Sequence, residues 1–300
     1  WRRSRLASVD PQPYREFLRA HAAAVRNPVR TAPAKQKHII YLQLESIDGL
    51  MIGGRKDGQP TMPYLERLAE ENVYFTNVLD CTATGRTTDG EFLVLTSQVP
   101  VPRPPVYVSQ KLDRIPSLPR VLNEAGYHTQ SMHGFNGVFW HRAEAHEALG
   151  YDEMSFEEDL DLTEKIGWGW SDEVMLQAAA DRLVASDGPM FLHVITLTNH
   201  HPYDYIAQHR GEVPGTIEEE FLRSVAYVDS AIEGFMQRLE VEGILDDCLI
   251  VIYSDHDSAI DVKMEAHLDT FYPRLIADTV PLVMIGFDRA PQRVDAIVGL

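Results

Sequence analysis

Residues 248–256 read CLIVIYSDH, an apolar run of mostly branched residues that ends in Asp255 and His256. Such a run predicts a strand that is buried on both faces of a sheet. The arrangement recurs near the start of the chain, where the apolar run His38–Leu44 leads directly into Glu45. Two buried strands that end in acidic groups indicate a parallel sheet with a functional site beyond its carboxyl edge.

Strands and helices alternate along the rest of the sequence. Further strands are predicted over Val73–Val78, His128–His133, Met190–Thr196 and Val280–Phe287, and helices over Pro63–Asn72, Thr88–Ser97, Ser117–Ala125, Ser171–Ser186 and Ile217–Glu242. This alternation predicts an α/β fold in which a mostly parallel sheet carries helices on both faces.

Composition limits the possible classes of protein. The chain has 300 residues, of which 44% are hydrophobic and 24% charged, so it is long enough for one large α/β domain or two small ones. Its formal net charge of -18 argues against a nucleic-acid partner. Two cysteines, Cys81 and Cys248, do not suggest a disulfide scaffold.

Residues 1–37 differ in charge from the remainder. They hold nine of the 27 basic residues and two of the 45 acidic ones, which leaves 18 basic and 43 acidic residues, a net charge of -25, in residues 38–300. We expect residues 1–37, with a short helix over 13–26, to form a basic arm or linker, either solvated or in contact with an anionic membrane surface. Residues 38–300 are expected to form the main domain, and no run of 18 apolar residues predicts a membrane span.

Four predicted strands deliver acidic or imidazole groups just beyond their carboxyl ends. These groups are Glu45, His133, His200 with His201, and Asp255 with His256. A polar residue after one strand carries no information, because loops are polar. Four strand ends that supply carboxylates and imidazoles together predict a metal site.

A second candidate feature lies in residues 84–92, TGRTTDGEF, just where a helix begins. One interpretation is an ordinary helix start, with Thr87 or Thr88 as N-cap and Glu91 closing a capping box. The other is that Thr87 is a nucleophile, because a helix N-terminus favours a developing alkoxide and a divalent cation activates a hydroxyl bound to it.

Five motifs in order give the sequence a family resemblance. They are Tyr41–Ser46, Gly85–Phe92, His133–Arg142, Leu197–Tyr203 and Tyr253–His256. From about residue 38 to about 287 the chain resembles the lipoteichoic acid synthase and phosphoglycerol transferase family, within the alkaline phosphatase and sulfatase superfamily. The resemblance implies an alkaline-phosphatase-like sheet and a sulfatase-like catalytic domain over residues 38–300. That domain is expected to be truncated, because the family's final strand–helix unit is not present after Leu300.

The resemblance also implies roles for individual residues. It implies one divalent metal, Mn²⁺ or Mg²⁺, bound by Glu45, Thr87, Asp255 and His256, with Thr87 as the nucleophile. Around the phosphoglycerol headgroup it implies His133, Trp140, Arg142 and His200. Chemistry leaves alternatives open: Arg142 suits a bidentate clamp on a phosphoryl group or a surface ion pair. His200 suits a proton donor to a leaving alkoxide, a partner for a headgroup hydroxyl, or a hydrogen-bonded loop histidine.

The implied activity is a two-step transfer of glycerophosphate through a phospho-threonine-type intermediate. The donor is a lipid such as phosphatidylglycerol, and the acceptor is a hydroxyl of a glycan or of polyglycerolphosphate. The resemblance further implies attachment to the cell membrane through segments outside this chain, with the catalytic domain on the extracellular or periplasmic side.

Two departures from the family pattern keep alternatives open. Phe135 stands where lipoteichoic acid synthases have Asp, and Asp257 stands where Gly or Tyr is commoner, so Asp257 either perturbs the metal site or supports it. The alternatives are a phosphoethanolamine transferase, a phosphodiesterase, a formylglycine sulfatase and a non-catalytic glycolipid-binding domain. The resemblance to a formylglycine sulfatase is weak and rests on Cys81–Thr84, which resembles the start of the sulfatase motif.

Overall fold

The computed structural model describes residues 37–260, 262 and 278–300. The helix predicted over 13–26 and nearly all of the basic arm lie outside the described residues. The strands are β1 (His38–Leu44), β2 (Arg55–Lys56), β3 (Gln59–Pro60), β4 (Val73–Leu79), β5 (His128–His133), β6 (Glu153–Ser155), β7 (Lys165–Ile166), β8 (Gly169–Trp170), β9 (Met190–Ile195), β10 (Cys248–Ser254), β11 (Thr279–Ile285) and β12 (Gln292–Gly299). The α-helices are α1 (Pro63–Glu71), α2 (Thr87–Thr96), α3 (Val106–Ser109), α4 (Leu118–Glu124), α5 (Arg142–Leu149), α6 (Asp172–Val184), α7 (Tyr205–His209) and α8 (Ile217–Val241), and 3-10 turns lie at Gly49–Met51, Leu112–Arg114, Phe139–His141, Glu157–Asp159 and Leu245–Asp247.

The main sheet has eight strands among the described residues, in the order β12-β4-β11-β10-β1-β9-β5-β6. Strand β1 lies near the middle and pairs in parallel with β10 and β9, and β5 continues the parallel run to β6. Strand β11 is antiparallel to both of its neighbours. The prediction of a mostly parallel, alkaline-phosphatase-like α/β sheet is therefore confirmed.

Alternate residues of β1 pack in two separate apolar layers, one on each face of the sheet. Ile40, Leu42 and Leu44 are fully buried in a cluster that includes side chains of α1, α6 and α8. Ile39 and Tyr41 pack on the opposite face, in a cluster that includes side chains of α2, α4 and α5. Because successive side chains of a strand point to opposite faces, an unbroken apolar run is what a sheet covered on both faces requires.

Most predicted elements are present with ends that differ by one or two residues, as helix and strand ends commonly do. Several short elements are not predicted from the sequence, among them the helices α3, α5 and α7, and neither is the longer strand β12. Its side chains are largely exposed, and it pairs in parallel with β4 at the edge of the sheet, so it lacks the apolar run that marks the central strands. Within the described part of the chain, no helix has the length and apolar character needed to cross a membrane.

Candidate active site at the carboxyl edge of the sheet

The structure brings the four predicted metal ligands together. Donor atoms of Glu45, Asp255 and His256, all buried, lie within 4.8 Å of one another. His256 Nε2 is 3.6 Å from Glu45 Oε1 and 3.5 Å from Asp255 Oδ2. Thr87 Oγ1 lies 3.3 Å from Glu45 Oε2 and 3.5 Å from His256 Nε2. A single small ion would reach all four side chains.

Parallel pairing of β1 and β10 sets the positions of the carboxylates. Leu44 is in register with Ser254, so Glu45 and Asp255 leave the sheet side by side. Asp255 N donates to Leu44 O over 3.1 Å, and Ser46 N donates to Asp255 Oδ1 over 3.0 Å. These bonds hold the two loops together, and Ser46 has a positive φ of 55°, a strained conformation that recurs at functional sites.

Helix α2 carries Thr87 against this edge through its own small residues. A Cβ on Gly90 would lie 2.7 Å from Asp255 O, so only glycine permits the observed approach. The N-cap is Arg86, which has a φ of 46° and no side-chain cap bond, while Gly85 N donates to Asp89 Oδ2 over 2.9 Å. The capping-box interpretation is therefore wrong, because neither Thr87 nor Thr88 is the cap.

The residues present fit a divalent cation. Ligands that bind one ion at about 2.1 Å lie roughly 3–3.5 Å from one another, close to the separations measured here. Asp255 Oδ2 is buried and has no hydrogen-bond partner. His256 Nδ1 donates to Asp257 O over 2.7 Å, which leaves the Nε2 lone pair free for a metal. This support comes from the backbone of Asp257; its side chain, which is the departure from the family, accepts from Arg86 Nη2 over 2.8 Å.

The electrostatics of the two carboxylates also favour a bound divalent cation. Burial, followed by the charge of Asp255, raises the pKa of Glu45, and burial raises the pKa of Asp255. Two buried carboxylates this close repel one another when both are ionised, and a divalent cation removes that cost. Carboxylate oxygens with one imidazole suit Mn²⁺ or Mg²⁺.

The guanidinium group of Arg142 is held in place by a buried acidic group. Its Nε and Nη2 lie 3.0 Å and 2.9 Å from Glu91 Oε1, and its side chain is only 2% exposed. The alternative of a surface ion pair is therefore wrong. Its Nη1 is buried without a hydrogen-bond partner, and Arg142 lines the same cleft as Thr87. Two of its three guanidinium nitrogens face Glu91, so only Nη1 is left to bind an anion in the cleft. A bidentate clamp needs two free nitrogens, so the prediction of a bidentate clamp is wrong.

Glu91 is the centre of a buried network that the sequence does not reveal. His146 Nε2 donates to Glu91 Oε2 over 2.7 Å, and Tyr107 OH donates to the same oxygen over 3.2 Å. Burial opposes ionisation of Glu91, but Arg142 and then His146 outweigh it and hold the pKa of Glu91 well below its usual range. Glu91 therefore stays charged and fixes the direction of the guanidinium group.

The remaining predicted residues line the same cleft. The lining includes Glu45, Thr87, His133, Trp140, Arg142 and His200. His133 Nδ1 donates to Ile195 O over 3.1 Å, and burial, aided by Arg142, lowers the pKa of His133 to about 3. His133 is thus neutral. His200 Nδ1 donates to His201 O over 2.9 Å, so His201 contributes a backbone oxygen that orients the His200 ring.

Two further residues of the cleft have no role in the sequence interpretation. Phe139 and Trp168 line the cleft beside Phe135, and the Trp168 ring centroid lies 4.2 Å from that of His200. Phe139 belongs to the His133–Arg142 motif, so its position in that segment was an available signal. Trp168 lies in a short hairpin far along the chain, where no sequence pattern marks it.

The fold and this buried acidic and imidazole set define the class of the protein. Residues 37–299 match the family model described as Sulfatase, and the chain belongs to the sulfatase family. Within it, the chain is 30% identical over 243 residues to lipoteichoic acid synthase 2 of Bacillus subtilis, covering 77% of this chain and 37% of that protein. The chain thus spans little more than a third of the length of this curated relative.

Solved structures agree with this placement. The crystal structure of the lipoteichoic acid synthase LtaP from Listeria monocytogenes is similar with a TM-score of 0.80 and 25% identity, covering 89% of this chain and 69% of that one. Streptococcus pyogenes phosphoglycerol transferase GacH, solved with sn-glycerol-1-phosphate, has a TM-score of 0.65 and covers 94% of this chain and 76% of its own. At 16% identity GacH shows the shared fold alone.

Proposed function

We propose that this chain is the catalytic domain of a metal-dependent phosphoglycerol transferase. The observation that carries the proposal is the convergence of Thr87 Oγ1 on the buried Glu45, Asp255 and His256 set at the base of an open cleft. Similarity to lipoteichoic acid synthases supports the reaction class. When bound by these residues, Mn²⁺ or Mg²⁺ supplies charge that lowers the pKa of a ligated hydroxyl and polarises a phosphoryl group.

The chain's own residues divide the remaining work. Arg142 Nη1, the guanidinium nitrogen without a partner, donates to a phosphoryl oxygen of the substrate. Glu91 keeps that nitrogen in place, because it binds the other side of the same guanidinium. His133, neutral and with Nδ1 already donating, offers Nε2 as an acceptor for a headgroup hydroxyl.

The first step forms a covalent intermediate. Thr87 Oγ1 attacks the phosphorus of a glycerophospholipid, and its proton passes to Glu45 Oε2, which already accepts a hydrogen bond from it over 3.3 Å. The bond between phosphorus and the lipid oxygen breaks, and His200 gives that oxygen a proton as diacylglycerol leaves. An acceptor hydroxyl then attacks the same phosphorus and gives its proton to His200, the bond between phosphorus and Thr87 Oγ1 breaks, and Thr87 regains its proton from Glu45.

The donor and location follow from the proposed reaction. We expect phosphatidylglycerol as donor and a glycan or polyglycerolphosphate hydroxyl as acceptor. By the family resemblance, we expect the catalytic domain, residues 38–300, to lie beside the cell membrane on its outer side, with the basic arm of residues 1–37 before it. Membrane attachment would come from segments outside this chain.

The decisive experiment is a search for the intermediate. The protein is incubated with Mn²⁺ and labelled phosphatidylglycerol, and intact mass spectrometry measures a glycerophosphate adduct. Thr87→Ala should carry no adduct. The control Thr96→Ala changes a threonine at the far end of α2, whose hydroxyl donates to Phe92 O and accepts from Gln98 N, and should form the adduct normally. An adduct that persists in Thr87→Ala would refute the nucleophile.

The same assay separates the alternatives. Labelled phosphatidylethanolamine in place of phosphatidylglycerol distinguishes a phosphoethanolamine transferase, and release of free glycerophosphate without an acceptor product identifies a phosphodiesterase. A protein that binds glycolipid and shows neither an adduct nor turnover with Mn²⁺ would be a non-catalytic binder.

A further inference from the structure

One side of the cleft is built from aromatic rings. Phe135, Phe139, Trp140 and Trp168 all line it. The Phe139 ring centroid lies 5.3 Å from Phe135, 5.7 Å from Trp140 and 5.9 Å from Trp168, at interplanar angles between 71° and 86°. Phe139 is 40% exposed and Trp168 39% exposed, so ring surface is available to a ligand.

The ring of Trp168 is held in place by tight backbone packing. Strands β7 and β8 form a hairpin whose two-residue turn is Gly167 and Trp168, and Gly167 has a φ of 70° that favours glycine. Trp170 N donates to Gly134 O over 2.9 Å. A Cβ on Gly169 would lie 1.9 Å from that same oxygen. The hairpin is therefore pressed against the backbone between His133 and Phe135.

The aromatic side lacks the groups that an anionic polymer needs. Among the described residues that line the cleft, Arg142 is the one permanently cationic side chain, and two of its three guanidinium nitrogens already face Glu91. Residues 38–300 carry 18 basic and 43 acidic residues, so the domain as a whole repels a polymer with a phosphate in every repeat. A neutral acceptor avoids this repulsion.

We propose that Phe135, Phe139 and Trp168 form an acceptor subsite for a ring of a neutral glycan, in preference to polyglycerolphosphate. The subsite rests on the proposed transferase function and chooses between its two acceptor classes. The face of a sugar ring presents C–H groups with partial positive charge, which match the negative faces of aromatic rings and cover their apolar area. Ligand pockets commonly combine such aromatic walls with few polar groups.

The subsite lies beside the groups that handle the phosphoryl transfer. The Trp168 ring lies against that of His200, with centroids 4.2 Å apart and an interplanar angle of 37°, and the Phe135 ring centroid lies 5.5 Å from that of Trp168. A sugar held there delivers a hydroxyl whose oxygen forms the new bond to phosphorus. The bond between phosphorus and Thr87 Oγ1 breaks and Thr87 Oγ1 takes back its proton from Glu45, while the acceptor proton passes to His200, so the enzyme returns to its starting state.

The test measures where label from phosphatidylglycerol goes. A neutral linear glucan oligosaccharide and a short polyglycerolphosphate are offered separately, and transfer to each is divided by the free glycerophosphate released to water. Wild type should prefer the glucan. Trp168→Leu keeps apolar volume but loses the ring, and should lower the glucan ratio by roughly five- to tenfold, whereas Trp168→Phe should recover most of it.

A matched control comes from the other end of the sheet. Phe287 follows β11, whose pairing of Ile285 with Ile250 places this end near the start of β10, and Phe287→Ala should leave the ratio unchanged. Preference for polyglycerolphosphate, or an equal loss with both acceptors, would overturn the subsite. A wild type that forms no adduct on Thr87 refutes the transferase function instead. Direct calorimetry of glucan binding then still tests the subsite, which fails if Trp168→Leu binds as tightly as wild type.

Discussion

The two halves of the cleft are positioned by different means. Glu45, Asp255 and His256 follow central strands, and hydrogen bonds between adjacent strand ends fix them. The aromatic half depends on a hairpin and on the loop after β5, which touch through Gly134 and Gly169. The comparison shows that the register of the sheet positions the half that carries out the reaction. Loops position the aromatic half, which is proposed to bind the acceptor.

This difference predicts different consequences of substitution. A change in the strand-end half should remove the reaction itself, and a change in the loop half should alter which molecule is used. Arg142 stands between them, because it reaches the cleft from α5 but depends on Glu91 of α2. The substitutions below test this division in order of expected effect.

The largest effect is expected for Asp255→Asn. The amide is a much weaker ligand, so the protein should lose bound metal, and turnover of phosphatidylglycerol should fall by roughly a thousandfold or more. Because burial raises the pKa of Asp255, the metal-free variant should be at least as stable as metal-free wild type. Metal content, turnover and thermal unfolding with and without chelator measure this.

Asp246→Asn provides the control, since Asp246 is exposed just before β10, at the opposite end of that strand from Asp255. It should match wild type in all three measurements. An Asp255→Asn protein that keeps a full equivalent of metal and near-normal turnover would break the strand-end half of the comparison.

Glu91→Gln should have the second largest effect. The amide keeps the shape but loses the charge that orients Arg142, so we expect kcat/KM to fall by about 10²-fold with metal content unchanged. Glu91→Ala should unfold more readily, by about 3–5 kcal/mol, because it leaves a buried guanidinium unpaired. Exposed Glu124→Gln on α4 is the control. Unchanged kinetics in Glu91→Gln would show that Arg142 orients itself without Glu91.

The sequence predicts the strand-end half because its signals are local. An apolar run marks a buried strand, and the residue after it, Glu45 or Asp255, lies at the carboxyl edge whatever the order of the strands. The family resemblance then selects Thr87, whose helix begins where the pattern indicates. The order of the eight strands and the antiparallel direction of β11 do not follow from such local patterns.

The loop half shows where prediction from sequence ends. Trp168 reaches Phe135 only because Gly134 and Gly169 let two backbones touch across 35 residues of chain. Nothing in the residues around Trp168 encodes that contact. The spacing of Glu91 from Thr88 predicts a capping box, but Glu91 is buried beside Arg142, which is the stronger partner. Long-range contacts overrode local rules at both positions.

Gly169→Ala tests the hairpin contact with a single methyl group. The new Cβ would lie 1.9 Å from Gly134 O, so the hairpin must move away from the cleft. We expect a loss of stability of about 1–3 kcal/mol and a fall of about tenfold in transfer to a glucan, with metal content kept. Gly188→Ala is the control, because a Cβ there meets nothing within 4 Å. Equal glucan transfer in both variants would show that the hairpin position does not matter.

The smallest effect is expected for Lys165→Gln, which tests how much the hairpin depends on its own side chains. Lys165 Nζ lies 4.5 Å from the Trp170 ring and pairs with Glu157, but half of its side chain is exposed. Removing the charge should therefore cost about 0.5–1 kcal/mol of unfolding free energy, read from denaturant melts. Glucan transfer should remain close to wild type, because the contact between Gly134 and Gly169 still holds the turn. A loss as large as that of Gly169→Ala would mean that the exposed lysine, and not the backbone contact, fixes Trp168.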